Sequence, residues 1–195
     1  MTQNDRNIAG IILDSSHDDG QSGPIALQKI NNISFLEAVA KPLKECNCSP
    51  LIIVSTENTR IADEARRLGV SLIFDDGLKK GEIAGLKKAM ADFRNDLLGA
   101  LVLPVTYPSI TSNVYLLLCH VFMENPDRII IPIYKGNRGY PVALPYSVID
   151  EIIGNSKILY FDDLIRAHSD LIFEQLVNDP GISKQVRSAG DLKNL

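Results

Sequence analysis

Short aliphatic runs alternate along this chain with longer stretches whose apolar positions recur every three or four residues, and that rhythm predicts its elements. Residues 8–13, Ile8-Ala9-Gly10-Ile11-Ile12-Leu13, read as a first strand. A helix starts at Ser34, whose hydroxyl suits an amide of the first turn, while Glu37 three residues on reaches back as a capping box. Leu36, Val39, Ala40 and Leu43 give that helix one apolar face. Leu51-Ile52-Ile53-Val54 is apolar throughout between Pro50 and Ser55, which suits a strand covered on both faces. Residues 59–68 predict a helix stopped by Gly69, residues 70–74 a strand, and residues 81–93 a helix with Ile83, Leu86, Met90 and Phe93 inward. Strands at 100–103 and 129–133 flank a helix over 112–124.

Strand and helix alternate with short links, so the chain is expected to be α/β, with a mostly parallel three-layer Rossmann-like sheet sandwiched by helices. Beyond Tyr134 the rhythm changes to a strand at 140–144, helical stretches at 147–153 and 161–168, and a strand at 171–177. Nothing in the pattern divides residues 1–195, which are taken as one domain. The helix over 112–124 carries Tyr115, Leu116, Leu117, Leu118, Val121, Phe122 and Met123, more apolar surface than one buried stripe requires. It is therefore either covered on two sides or the face of a homodimer.

With 195 residues, 45% of them hydrophobic and 23% charged, the chain can bury a full core. A net charge of −4 and scattered Lys and Arg provide no basic stripe for a phosphate backbone, so a nucleic-acid partner is not expected. No apolar run reaches the roughly 18 residues of a membrane span, and the start Met1-Thr2-Gln3-Asn4-Asp5-Arg6 is no signal segment. A cytoplasmic location, with no membrane partner, is the expectation. Cys46, Asn47 and Cys48 do not form a zinc-knuckle spacing, and the three cysteines read as reduced thiols.

Ligands of an open parallel sheet collect beyond the carboxyl ends of its strands. The loop after the first strand, Asp14-Ser15-Ser16-His17-Asp18-Asp19-Gly20, is small and polar, but matches neither a dinucleotide fingerprint nor a Walker loop. His17 is the one histidine placed where it could serve a site; His120 and His168 read as solvent or core residues. Gly81 and Gly85, four apart at a helix start, would let a flat base approach the backbone and leave first-turn amides for its oxygens, or would simply be packing glycines. Arg138-Gly139-Tyr140-Pro141 is a turn that would bring one guanidinium to the sheet edge.

Taken in order, the first strand with its loop, Gly81-Glu82-Ile83-Ala84-Gly85-Leu86, Pro104-Val105-Thr106-Tyr107-Pro108, Arg138-Gly139-Tyr140-Pro141-Val142, Asn178-Asp179-Pro180-Gly181-Ile182 and Ala189-Gly190-Asp191-Leu192 resemble the MobA-like NTP transferases. These enzymes join CMP or GMP to molybdopterin, and the resemblance is strongest to the cytidylyltransferase branch. It spans almost the whole chain and implies a sheet of the nucleotide-diphospho-sugar-transferase type. The implied reaction is attack by the phosphate of a pterin-type acceptor on the α-phosphorus of an NTP, CTP or GTP, with Mg²⁺ and cationic side chains offsetting the charge. Ser15, Ser16, Gly81, Gly85 and Thr106 then fall at nucleotide-binding positions, and Arg138, Tyr140 and Pro141 on the acceptor side.

The family's catalytic groups are not intact at the matching positions. Its first loop runs Leu-Ala-Ala-Gly-x-Ser-x-Arg-Met-Gly-x-x-Lys; here Ser16 takes the place of the glycine, Gly20 lies near the arginine, and Ile25 or Ala26 replaces the lysine, with Lys29 the nearest cation. The metal-binding aspartate after the fourth strand falls at Thr106, and the second at Arg187. Loss of such a group costs about 3 kcal/mol of barrier lowering. Two readings follow. One is a transferase whose Mg²⁺ has moved to Asp14, Asp18 or Asp19 and whose cations are Lys29 or Arg138. The other is a catalytically silent relative that binds a nucleotide, a pterin-type ligand or a protein partner, with the Arg187 guanidinium standing in for a cation.

Overall fold

Strand β1 (Asn7–Asp14) is the axis about which the chain is wound. The computed structural model describes residues 7–15, 23–91, 97–154, 157–187 and 191. After β1 come β2 (Lys29–Ile30), β3 (Ile33–Ser34), α1 (Phe35–Glu45), β4 (Leu51–Ser55), α2 (Thr59–Leu68), β5 (Ser71–Phe74), α3 (Glu82–Met90) and β6 (Leu97–Pro104). The second half holds α4 (Ser112–Glu124), β7 (Ile129–Tyr134), β8 (Asn137–Arg138), β9 (Val142–Pro145), α5 (Tyr146–Gly154), α6 (Phe161–Ala167) and β10 (Ile172–Leu176).

The main sheet has the order β10-β7-β9-β6-β1-β4-β5, with β8 paired to the edge of β7. β1 runs parallel to both neighbours, Ile11 facing Ile52 of β4 and Val102 of β6. β9 is antiparallel to β6 and β7, which makes the sheet mixed but mostly parallel, as the alternation predicts. From β1 the chain builds outward to β4 and β5, then crosses back to lay β6 on the other side. In open α/β sheets ligands bind in the crevice at such a reversal, and here the reversal falls at the carboxyl ends of β1 and β6.

The continuous apolar character of the central strands has its explanation in two cores. Ile8 and Ile12 of β1 pack with Ile53 and Leu101 under α1, α2 and α4; Ala9, Ile11 and Leu13 pack on the opposite face with Ile52, Val54 and Val102 under α3, α5 and α6. Each aliphatic side chain so buried contributes about 1.5–3 kcal/mol. α1 begins as expected, the Ser34 hydroxyl accepting from the Glu37 amide at 3.0 Å, and α2 ends on Gly69 in the left-handed conformation (φ +60°). α4 is covered on one side only among the described residues: Tyr115, Leu118 and Phe122 are buried, while Leu116, Leu117 and Met123 are exposed.

Three local features differ from the sequence reading. Two tight hairpins join β2 to β3 and β7 to β8, through Asn31-Asn32 and Lys135-Gly136, all four residues at positive φ. Strands of two residues leave no periodicity to read, although such turns suit Asn and Gly. β9 starts at Val142 rather than at Tyr140, because Pro141 has no amide for a ladder and the Tyr140 amide goes instead to the Ile182 carbonyl at 2.9 Å. α3 ends at Met90, and Phe93 lies outside the described residues.

β9 fits against β6 because Gly99 has no side chain: a Cβ there would stand 2.1 Å from the Leu144 carbonyl oxygen and 2.7 Å from Cζ of Phe122. Gly99→Ala should therefore lower unfolding free energy by about 1–3 kcal/mol in urea denaturation. A midpoint equal to that of the parent would mean that β9 is not seated there.

Candidate nucleotide site

The crevice is lined, strand by strand, by what each chain end leaves there. Asp14 closes β1 and lies in register with Ser55 at the end of β4; the Ser55 hydroxyl donates to Asp14 Oδ2 at 2.8 Å, and Asp14 is only 2% exposed. Across β1, the Val105 amide donates to the Leu13 carbonyl at 2.9 Å, which extends the β1–β6 ladder and brings the buried Thr106 to the rim. The chain end 178–187 returns to the same place. The Val186 amide donates to the Thr106 carbonyl at 2.8 Å, Gln185 Nε2 donates to Thr106 Oγ1 at 3.2 Å, and Arg187 Nε donates to Gln185 Oε1 at 2.8 Å. Thr106 and Arg187 are thus joined through one amide side chain. The Arg187 amide is held in turn by Asp191 Oδ2 at 2.8 Å.

Asp179 is what anchors this returning segment. Its buried carboxylate accepts from the Thr111 amide (2.9 Å) and hydroxyl (2.8 Å) through Oδ2 and from the Gly181 amide (2.7 Å) through Oδ1. It therefore joins the start of α4 to the turn that leads to Gln185 and Arg187. Gly181 and Gly139 have no room for a Cβ, which would stand 2.6 Å from the Ser109 carbonyl oxygen and 2.1 Å from that of Ile182.

Beside Thr106 lies an aromatic and acidic cluster. The Tyr107 and Tyr140 rings are 4.9 Å apart, and Tyr140 meets Phe161 edge-on at 5.9 Å. Burial raises the pKa of Glu82, the first residue of α3; a hydrogen bond from the Phe161 backbone opposes the rise and the charge of Asp162 adds to it. Burial also raises Tyr107, with Glu82 adding to the shift and the nearby Arg187 guanidinium opposing it.

The candidate positions are distributed as follows. Asp14, Ser15 and Thr106 lie at the rim, with Ser15 exposed. Ser16, His17, Asp18, Asp19 and Gly20 lie outside the described residues. Ile25 and Ala26 are buried core residues of a short 3-10 turn, and Lys29 is exposed on β2. At Gly81 a Cβ would stand 2.3 Å from the Leu159 carbonyl oxygen, and at Gly85 2.4 Å from Leu78 Cδ2, so both positions are tightly packed. One first-turn amide, that of Ile83, donates to the Leu159 carbonyl at 3.1 Å. Arg138 is engaged by Glu174 of β10, with Nε and Nη2 at 2.7 and 2.6 Å from Oε1. A pocket of about 150 Å³ is lined by Arg138, Tyr140, Val142, Phe161 and Asp162, and buried Pro141 adjoins Tyr140. Ser55, Glu82 and Gln185 went unnoticed in the sequence. Ser55 could have been found by aligning the ends of the first two long strands; nothing local singles out Gln185.

A family model described as the MobA-like NTP transferase domain matches residues 19–169. The chain belongs to this family. The match contains Thr106, whereas Asp14 and Arg187 lie outside it. Among solved structures, MobA-like and related nucleotidyltransferase folds superpose over nearly the full length. Rv0371c of Mycobacterium tuberculosis H37Rv gives a TM-score of 0.77 at 17% identity, covering 97% of each chain, and a second structure of it is a complex with manganese (TM-score 0.74). The molybdopterin-guanine dinucleotide biosynthesis protein A of Archaeoglobus fulgidus gives 0.67 at 17% identity over 96% of each chain. At such identities the likeness is one of fold. No curated protein sequence matches.

Members of this MobA-like family act on nucleoside triphosphates with a divalent metal, and the rim here is a poor match for that metal. Thr106 offers a neutral hydroxyl that already accepts a donor, Arg187 brings a positive charge, and among the described residues Asp14 is the carboxylate in which β1, β4 and β6 end. Among the described residues no group of three or more His, Cys, Asp or Glu could hold an ion. No helix among them is long and apolar enough to cross a membrane.

Two outcomes are expected. Asp179→Ala leaves the Thr111 and Gly181 amides without their charged acceptor and should lower stability by about 2–3 kcal/mol; an unchanged urea midpoint would dissociate the chain end from α4. For Glu82 the raised pKa means that the folded state holds its proton more tightly than the unfolded state. Stability should then fall as pH rises from about 4.3, the ordinary glutamate value, through the folded pKa. Glu82→Gln should remove that fall and stabilise the protein at pH 7, as read by thermal melts across pH; parallel profiles for parent and variant would contradict the assignment.

Proposed function

We propose that this MobA-like protein binds a nucleoside triphosphate, CTP or GTP, at the carboxyl ends of β1 and β6, and that transfer of the nucleotide to a pterin-type acceptor is lost or much weakened. The observation that carries this reading is the Thr106–Gln185–Arg187 chain of hydrogen bonds, which occupies the two positions matching the family's metal carboxylates. An arginine there supplies fixed positive charge and a planar fork suited to phosphate oxygens. It supplies no ligand for the ion that would stabilise charge developing during transfer. Binding without turnover is the chemistry left, and it suits a regulatory or assembly role in which the nucleotide, or a pterin-type ligand with a phosphate, is sensed.

A second reading is favoured by Asp14. A carboxylate at the end of the central strand, steadied by Ser55, is where a relocated Mg²⁺ would bind, with Asp18 and Asp19 following in sequence. On this reading the protein is an active transferase with rearranged ligands.

Isothermal titration with CTP, GTP, ATP and UTP, each with Mg²⁺ and with EDTA, combined with a pyrophosphate-release assay, separates the two. The first reading expects binding that survives EDTA, weakens tenfold or more in Arg187→Ala, and is accompanied by no pyrophosphate. Base-selective, Mg²⁺-dependent pyrophosphate release by the unmodified protein would overturn it in favour of the second. The double variant Thr106→Asp, Arg187→Asp should make nucleotide binding require Mg²⁺.

A further inference from the structure

All three cysteines of the chain meet in one place, between α1 and α4. The end of α1 brings the first two together. Cys46 caps the helix, its amide donating to the Pro42 carbonyl at 3.0 Å; Asn47 then takes a left-handed conformation (φ +56°), and the amides of Asn47 and Cys48 return to the carbonyls of Lys44 and Leu43 at 2.9 and 3.0 Å. This closure turns Cys48 inward beneath the helix and leaves Cys46 partly exposed. Gly10 of β1 makes room for it, since a Cβ at that position would stand 3.3 Å from Cys48 Cβ. From the other side α4 presents Cys119, 5% exposed, whose sulfur lies 4.0 Å from that of Cys48 and which also interacts with the Cys46 thiol. The buried Tyr115 hydroxyl, one turn before Cys119 on α4, has no hydrogen-bond partner among the described residues and is near enough to feel a charge on Cys46.

We propose that Cys46, Cys48 and Cys119 form an oxidation site for peroxides, in which Cys46 takes the oxidant and a Cys48–Cys119 disulfide stores the result. The partly exposed Cys46 sulfur attacks a peroxide oxygen; the O–O bond breaks, the sulfur becomes a sulfenic acid, and water leaves. Cys119 attacks that sulfur, forming an S–S bond as the S–O bond breaks and a second water departs with the Cys119 proton. Cys48 then attacks the Cys119 sulfur, and Cys46 is regained as a thiol carrying the Cys48 proton. Two electrons pass from two thiols to one peroxide. The unpartnered Tyr115 hydroxyl offers a donor to the sulfenic oxygen, and closure needs the 4.0 Å sulfur separation to contract to about 2.05 Å.

The thiolate is the reactive form, and at the attacking Cys46 it is strongly disfavoured: the hydrogen bond with Cys119, burial, and the charges of Cys119 and Glu45 all push that thiol far above its ordinary pKa. The hydrogen bond from Cys46 favours the Cys119 thiolate, but the hydrogen bond with Cys48 and burial together outweigh it, and its pKa is pushed up to about 12. The site is therefore slow at neutral pH, and disulfide formation should accelerate about tenfold per pH unit between 7 and 9.

The test treats the full chain with hydrogen peroxide and follows intact mass and tryptic peptides. The parent should lose 2 Da, with peptide 45–60 linked to peptide 95–128 and fragmentation assigning the link to Cys48. Cys46→Ser should slow the link tenfold or more without moving it, Cys48→Ser should stop at Cys46–Cys119, and Cys119→Ser should form no link and gain oxygen at Cys46. An unlinked parent that only gains oxygen, a Cys46–Cys48 bridge, or links between molecules would each overturn the proposal, as would a Cys46→Ser rate equal to the parent's. The readout is taken on the parent chain first, so a variant that fails to fold leaves the test standing.

Discussion

The pairing of β1 with β6 is the constraint on which the rest of this molecule depends. β1 is hydrogen-bonded on both edges and buried on both faces, so its side chains must be apolar throughout and its polar residue must wait for the end of the strand. Asp14 is that residue. Because the chain winds outward from β1 in one direction and then in the other, the loops after β1 and β6 diverge and leave a crevice that no intervening strand fills. Every element placed at the rim, from Ser55 to Thr106, inherits its position from the register of these central strands.

What the crevice does is decided by charge rather than by shape. The scaffold that cradles a triphosphate in other members of this family is present over its whole length, yet the groups at its focus are a neutral hydroxyl, an amide and a guanidinium. Among the described residues at the ends of β1 and β6, the buried Asp14 is the acidic group, and the Arg187 guanidinium adds positive charge to the same rim. Buried Asp179 shows that the fold readily satisfies a carboxylate at this end of the sheet, but its hydrogen bonds go to two backbone amides and the Thr111 hydroxyl.

Much of the fold was legible in the sequence because its long elements carry their period openly: the strands at 8–13 and 51–54, the Ser34 cap of the first helix and the glycine stop at Gly69 all stand where they were read, while the Glu37 carboxylate, expected to reach back to that cap, pairs with Arg67. The hairpins at Asn31-Asn32 and Lys135-Gly136 were not, since a strand of two residues has no alternation. The site was legible only in part. Thr106 and Arg187 could be named from motif order, but that they are bridged by Gln185 is a property of folding residues 79 positions apart onto one another. Gly81 and Gly85 show a different difficulty, because the close approach of Leu159 and Leu78 to them leaves no mark in one dimension. Cys119 had no signal at all until α1 and α4 were packed together.

α4 is a rod of thirteen residues, about 20 Å long, and its two functional attachments are both mechanical. At its start it is tethered through Thr111 to the Asp179 anchor, and two turns further on it carries the thiol that faces Cys48. A close-packed helix does not stretch between such points. One continuous helix therefore lies between the sulfur cluster and the Asp179 anchor of the returning chain end.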